Sequence, residues 1–461
     1  MILKRGIFLI IFIGFLISSA TSFLNLKKYD QIDGQPHSMI LGDLKLIWIE
    51  AEHLKRDLHS GKNFFRSGIE YDRTYLPSKL IALYSYAVGE KLFENFESKK
   101  IQKGGGKLGF LIFQSLLYYF ALFFFYKKIL DFYNYDHQKC FFITAFLALE
   151  PTIIQWHSSF WTESIFLSLQ LITLGLIIHK TNNKFFSIIL GIFVGLMYLQ
   201  KTVAMFFIFP VIFYLIISKK KYRIVSIGSL IFGYSIILFF LGYHNLIRSD
   251  IFYVTAGQSK RAHYFYLVPQ VVSKKNNISE LEAANKISKY ENNWIKENNI
   301  DVNKEKDRRK LYNFQQKFAI KFFLNNKIAT AKIFINNTIH FGFLNPFQVY
   351  YWHKYNNNIN NEEYHTSLDH QKWLEKRILY SLFVYFFVFL GIIYSFKKKK
   401  YNNFNFFIIL SIFYYIFMLG WMGNTRYFTP SLILISIFFG EGASLIFKKI
   451  YKKLTNYPYK I

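Results

Sequence analysis

The stretch LALEPTIIQWHSSFWTESIF, Leu147 to Phe166, places one carboxylate, Glu163, just inside a long apolar run, with Trp156 and His157 shortly before it. Two cations occupy similar boundaries: Lys201 follows the apolar run GLMYLQ, and Arg426 stands in NTRYFTP ahead of another. A charge at the edge of a membrane-length segment is costly unless it has a partner or a task. A carboxylate can take the proton of an attacking hydroxyl. A fixed cation can stabilise negative charge as it develops. Each residue also has a plain structural alternative. An acid at a helix start complements the helix dipole, terminal Lys and Arg snorkel to the interface, and interfacial aromatics form belts.

The elements that must position these residues are apolar. The 461 residues are 52% hydrophobic and 21% aromatic, with Lys+Arg 57 against Asp+Glu 28, a formal charge of +29. In a soluble chain that excess would suggest nucleic acid. Here the apolar residues collect into blocks of bilayer length, about twenty residues each. Spans are expected near 6–23, 108–126, 138–155, 161–179, 184–200, 202–218, 224–243, 377–396, 403–420 and 427–447. Lys and Arg cluster between them, at Lys4 and Arg5, Lys127 and Lys128, Lys180 and Lys184, Lys219 to Arg223, Lys397 to Lys400 and Lys448 to Lys453. A cytoplasmic N-terminus places all of these clusters inside. The charge therefore reports topology, and nucleic acid is not an expected partner. The first apolar run is long for a signal peptide and no clear A-x-A-like site follows it, so it reads as a retained span. Cys140 is the single cysteine, which excludes an intramolecular disulfide.

That topology divides the chain into a first span (1–23), a first external loop (24–107), spans two to seven (108–243), a second external loop region (244–376), the last spans (377–447) and a basic cytoplasmic tail (448–461). Pro151 to Phe160, Gln200 with Lys201, and Trp421 to Arg426 then fall in short external turns, so the polar residues of interest gather on one side. Pro77–Phe93 reads as an amphipathic or re-entrant helix on that surface. Ser279 and Glu282 form a capping-box pattern ahead of a helix in the second loop. The external histidines have no metal-ligand spacing, and no G-x-G-x-x-G loop occurs, so neither metal nor cofactor is expected.

Five stretches, in order, carry a resemblance. GDLKLIWIEAEHL and TYLPSKLIALYSYAVGEKLF lie in the first loop, ALEPTIIQWHSSFWTESIF opens a span, and GLMYLQKTVAMFF with NTRYFTPSLILI flank later ones. Together they resemble GT-C-fold membrane glycosyltransferases, in the group similar to the protein O-mannosyltransferases and the aminoarabinose transferase of lipid A. The chain departs from the pattern in having a single first-loop Asp43, Thr202 after Lys201, and one proline, Pro77, opening the second stretch.

The resemblance implies an all-α polytopic membrane protein, a GT-C-like helical bundle of about ten or more spans with two large external loops. It implies an inverting transferase that moves a sugar from a polyprenyl-phosphate-linked donor to an envelope lipid, glycan or protein acceptor, among membrane lipids. The expected place is the external or periplasmic face of a bacterial cytoplasmic (inner) membrane. Asp43 would be the general base. On composition alone it competes with Asp30, Asp33, Asp57 and Asp72, and a helix N-cap carboxylate fits the same spot. Arg426, Lys201, Arg73 and Lys79 would face the donor phosphate, Arg426 foremost because its planar fork matches a phosphate. Glu163 would orient a cation or bind sugar hydroxyls, and His157, Trp156 and Tyr75 would border the sugar. Two other classes compete. A polysaccharide polymerase or O-antigen ligase would lack so long an acid-bearing first loop. A lipid-linked saccharide transporter would carry mid-membrane charges or related halves.

Overall fold

The structure is a computed structural model that describes residues 2–29, 43–63, 75–88, 105–179, 184–218, 223–255, 257–302, 304–345, 368–397, 401–422 and 425–455. Among these residues there are seventeen α-helices and no β-strand. Six helical stretches are long and apolar enough to cross a membrane: Gly6–Leu26, Lys107–Phe132, Arg223–Ser249, Glu375–Lys397, Asn402–Leu419 and Arg426–Lys452. Glu163–Ile177, Lys184–Gln200 and Thr202–Ser218 are apolar but shorter. The chain is an integral, multi-pass membrane protein.

The bundle begins with α1 (Ile2–Tyr29), α4 (Gly105–Phe132), α5 (His137–Leu149) and α6 (Pro151–His157). α1 packs on α4 and α5 as part of the bundle, with a Ser18 to Tyr119 hydroxyl contact of 2.8 Å. The expected span at 138–155 is broken instead. Glu150 ends α5 and its side chain accepts from the Thr152 amide, which caps α6, while Pro151 opens that helix. Proline at a first helical position needs no amide partner there, and it stops the helix before it.

α7 (Glu163–Ile177), α8 (Lys184–Gln200), a 3₁₀ turn at Thr202–Phe206, α9 (Ile208–Ser218) and α10 (Arg223–Ser249) follow. α8 and α10 touch backbone to backbone. A Cβ on Gly191 would collide with the Leu230 carbonyl, and one on Gly233 with the Ile188 carbonyl, so the crossing requires glycine on both helices. α15 (Leu368–Lys397), α16 (Asn402–Leu419) and α17 (Thr429–Thr455) close the bundle, with α17 packed on α5, α7 and α15. α17 continues as helix through the basic residues beyond Phe447.

Two groups of helices lie in the connecting segments. α2 (Asp43–His59) and α3 (Tyr75–Val88) pack together and reach the bundle through Trp48, whose ring meets that of Phe160 edge-on at 5.0 Å. α3 has 14 residues, too few to span a bilayer, which needs about 20. Residues 89–93 of the expected surface helix lie outside the described residues. The second group is α11 (Gly257–Asn276), α12 (Glu280–Glu297), α13 (Glu305–Asn325) and α14 (Lys327–Gly342). The capping box expected ahead of α12 is present, with Ser279 and Glu282 each accepting the other's amide. α14 abuts the 3₁₀ turns at Gly420–Met422 and Thr425–Phe428. Arg377 of α15 donates to the Phe343 and Leu344 carbonyls, at 2.8 and 3.1 Å, and so fixes the end of α14.

Candidate active site

The charged residues singled out at span ends converge. Glu163 is the first residue of α7, Lys201 follows α8, and Arg426 lies in the turn before α17. Lys201 Nζ donates to Glu163 Oε1 at 2.9 Å, and Arg426 Nε donates to the same oxygen at 2.5 Å. Glu163 is 1% exposed, Lys201 6% and Arg426 8%. The carboxylate is thus committed to two cations rather than to capping its helix. Aromatic rings wall the cluster. The Arg426 guanidinium lies 3.6 Å from the Trp161 ring centre, and Lys201 Nζ lies 5.2 Å from that of Tyr427.

Polar side chains hold the backbone that delivers these groups. Gln114 of α4 donates to the His157 and Ser159 carbonyls at 2.8 and 2.7 Å. Asn25 of α1 donates to the Ser158 hydroxyl at 2.8 Å, and Gln200 of α8 to the Thr162 carbonyl at 3.0 Å. On the other side, Trp156 Nε1 donates to the Thr429 hydroxyl, which donates to the Arg426 carbonyl, at 3.0 and 2.8 Å. Gln170 donates to the Pro430 carbonyl at 2.9 Å. Buried polar groups in a low-dielectric interior are expensive unless satisfied, so these bonds fix the turns strongly.

The remaining expected residues are distributed differently. Trp156 is fully buried and approaches Arg426, its ring centre 6.0 Å from the guanidinium. His157 points away from the cluster. Its Nδ1 contacts the Ser164 hydroxyl at 2.7 Å and its ring packs 4.4 Å from that of Tyr118. Both rings are buried, because α6 packs between α1, α4 and α7. Lys79, expected at a phosphate, is buried and bonded to Glu50 Oε1 at 3.0 Å. Tyr75 packs its ring against His244, centre to centre 4.9 Å. Asp43 opens α2, but its side chain and the whole of Arg73 lie outside the described residues. Among the described residues, no group of three or more His, Cys, Asp and Glu side chains could hold a metal ion.

Sequence reasoning passed over several residues that organise this end of the bundle. Glu50, the partner of Lys79, is not among the candidate residues of the sequence. Glu150 accepts from the Tyr380 hydroxyl and ties the α5–α6 break to α15. Gln114 and Gln170 gave the clearest missed signal, being amides in the middle of apolar runs.

Residues 99–244 match the family model of the dolichyl-phosphate-mannose-protein mannosyltransferases. That region includes Glu163 and Lys201. No curated protein matches the chain significantly. Among solved structures it is similar to the archaeal oligosaccharyltransferase AglB from Archaeoglobus fulgidus, in complex with an inhibitory peptide and a dolichol-phosphate. The TM-score is 0.51 at 12% sequence identity, over 99% of this chain and 52% of that one. The chain therefore spans about half the length of the structure it matches. The architecture is the GT-C fold, and the stretch that matches the mannosyltransferase family model is residues 99–244.

Proposed function

We propose that the chain is a membrane glycosyltransferase that moves a sugar from a polyprenyl-phosphate donor to an envelope lipid, glycan or protein. The observation that carries this reading is the Glu163–Lys201–Arg426 cluster. Two cations converge on one carboxylate within aromatic walls, a setting that suits an incoming anion such as the donor phosphate. Glu163 sets the positions of both cations in advance, so that they meet developing negative charge without reorganisation. The family match and the dolichol-phosphate in the matched archaeal complex support a lipid-phosphate donor.

Asp43 is the base in this reading. It opens the helix whose Trp48 packs on Phe160, three residues before Glu163. Its carboxylate takes the proton of the acceptor hydroxyl, and the acceptor oxygen bonds to the anomeric carbon. The bond from that carbon to the phosphate oxygen breaks in line, with inversion. The electron pair leaves on the polyprenyl phosphate, whose charge Arg426 and Lys201 stabilise. The active end of the bundle faces the external side of a bacterial cytoplasmic membrane in this scheme, an orientation that the distribution of Lys and Arg supports.

The test is mass spectrometry of envelope lipids, glycans and glycoproteins from cells with the wild-type protein, Asp43→Asn at matched membrane level, or no protein. A sugar mass absent from both the null and the Asp43→Asn cells supports the reading and identifies the acceptor. Wild-type sugar in Asp43→Asn cells removes Asp43 as the base. An unchanged saccharide profile in the null overturns the transferase.

A further inference from the structure

Gly257 to Gly342, the chain of α11 to α14, carries 16 Lys or Arg against 7 Asp or Glu. This excess lies in the longer connecting region, where the inside bias of basic residues does not account for it, because that bias acts through short loops. α12 and α13 also enclose a hollow of about 650 Å³, within the range of ligand sites. Its floor is a flat aromatic stack. The Trp294 ring lies on that of Phe314 at 4.2 Å and 11°, and the Tyr290 ring lies 6.0 Å from that of Phe314 at 28°. Lys310, Lys317 and Lys321 line the rim at helical spacing on α13. Lys310 is paired with Asp307 at 2.8 Å, whereas Lys317 and Lys321 are exposed at the mouth. Asn298 and Asn313 add amides to the wall.

We propose that this hollow binds an anionic saccharide chain, which on the transferase reading above is the acceptor or the growing glycan. Flat rings receive the C–H faces of sugars, amides meet hydroxyls, and the two lysines meet carboxylate, sulfate or phosphate groups. A lipid surface fits less well, since the rings lie in a concavity rather than on a projecting face. The position suits an acceptor. α13 packs on α11, and α11 and α14 lean on the turn at Gly420–Met422, which adjoins the turn bearing Arg426.

The experiment measures binding of a hexauronate oligosaccharide and of a neutral glucose hexamer to the purified full chain in neutral-lipid nanodiscs, by isothermal titration without donor. The variants are Lys317→Ala/Lys321→Ala, which changes only exposed side chains, and Trp294→Leu, each checked for a wild-type helical signal. The hexauronate is expected to bind about tenfold or more tighter than the neutral hexamer, to weaken about tenfold in the double lysine variant, and to weaken with salt. Trp294→Leu is expected to weaken both sugars. Equal affinity for the two hexamers, or wild-type affinity in the lysine variant, overturns the proposal. So does absence of hexauronate binding in neutral nanodiscs together with lysine-dependent association with anionic-lipid vesicles, which assigns the lysines to the membrane surface. Because no transfer is measured, loss of this proposal and loss of the transferase reading are separate results.

Discussion

Replacing Glu163 by glutamine keeps the shape of the side chain and removes the charge that both cations share. Lys201 Nζ and Arg426 Nε contact one oxygen at 2.9 and 2.5 Å, so the two nitrogens lie within about 5.4 Å of each other. At an effective dielectric of about 20, unit charges at that separation repel by about 3 kcal/mol. Both cations also lose the buried carboxylate they share, and breaking a buried pair in this way costs about 3–5 kcal/mol. Arg426→Gln, in contrast, leaves a one-to-one pair of Glu163 and Lys201 and loses a charged hydrogen bond, about 1.5–3 kcal/mol. The order is therefore the sharp expectation: Glu163→Gln is worse than Arg426→Gln, and the double variant is milder than the sum because the repulsion disappears with Arg426. The assay is the half-life and apparent unfolding midpoint of detergent-solubilised protein by fluorescence-detected size exclusion, a kinetic measure suited to irreversible unfolding. A Glu163→Gln protein as durable as wild type, or more durable than Arg426→Gln, refutes the shared-oxygen arrangement.

Three further outcomes are expected. Lys79→Met leaves Glu50 buried and alone and costs about 3–5 kcal/mol, whereas Glu50→Leu/Lys79→Met is expected within about 1 kcal/mol of wild type, read by the same midpoint. Gly233→Ala drives a methyl into the Ile188 carbonyl and costs about 1–3 kcal/mol, while Gly228→Ala on the same helix meets open space and stabilises by about 0.5–1 kcal/mol. Burial holds His263 of α11 below its ordinary value of 6.5, so the unfolded chain takes up the proton first. Its contribution is present above pH 6.5 and is lost as pH falls through the folded value. Amide protection factors of α11 to α13, corrected for the intrinsic exchange rate at each pH, are expected to fall below pH 6.5, and His263→Phe to flatten that dependence.

The apolar blocks made the helical membrane character legible, and Lys201 and Arg426 stood out because they lie opposite to the basic clusters. That both would close on Glu163 was not readable. The contacts join positions 38 and 263 residues apart, and only the packing of α7 against α8 and α17 brings them together. Glu50 and Lys79 were hidden for the same reason. The burial of Trp156 and His157 was not legible, because residue type suggests an interfacial ring whereas burial is decided by the neighbours of α6. The break at Glu150 and Pro151 was readable locally as an N-cap followed by proline at N1, but a hydropathy window averages across it.

Lys201 hangs from the α8–α10 pair, whose glycines press the two backbones together, and Arg426 from the turn that starts α17. The shared oxygen of Glu163 is a keyway between these two assemblies. A slip of one helical turn, about 5.4 Å, exceeds the reach of either contact, so the assemblies cannot creep past each other in small steps with both contacts kept. Motion that admits or releases a lipid tail while keeping the key engaged must be a pivot about Oε1, with the displacement growing toward the far end of the bundle.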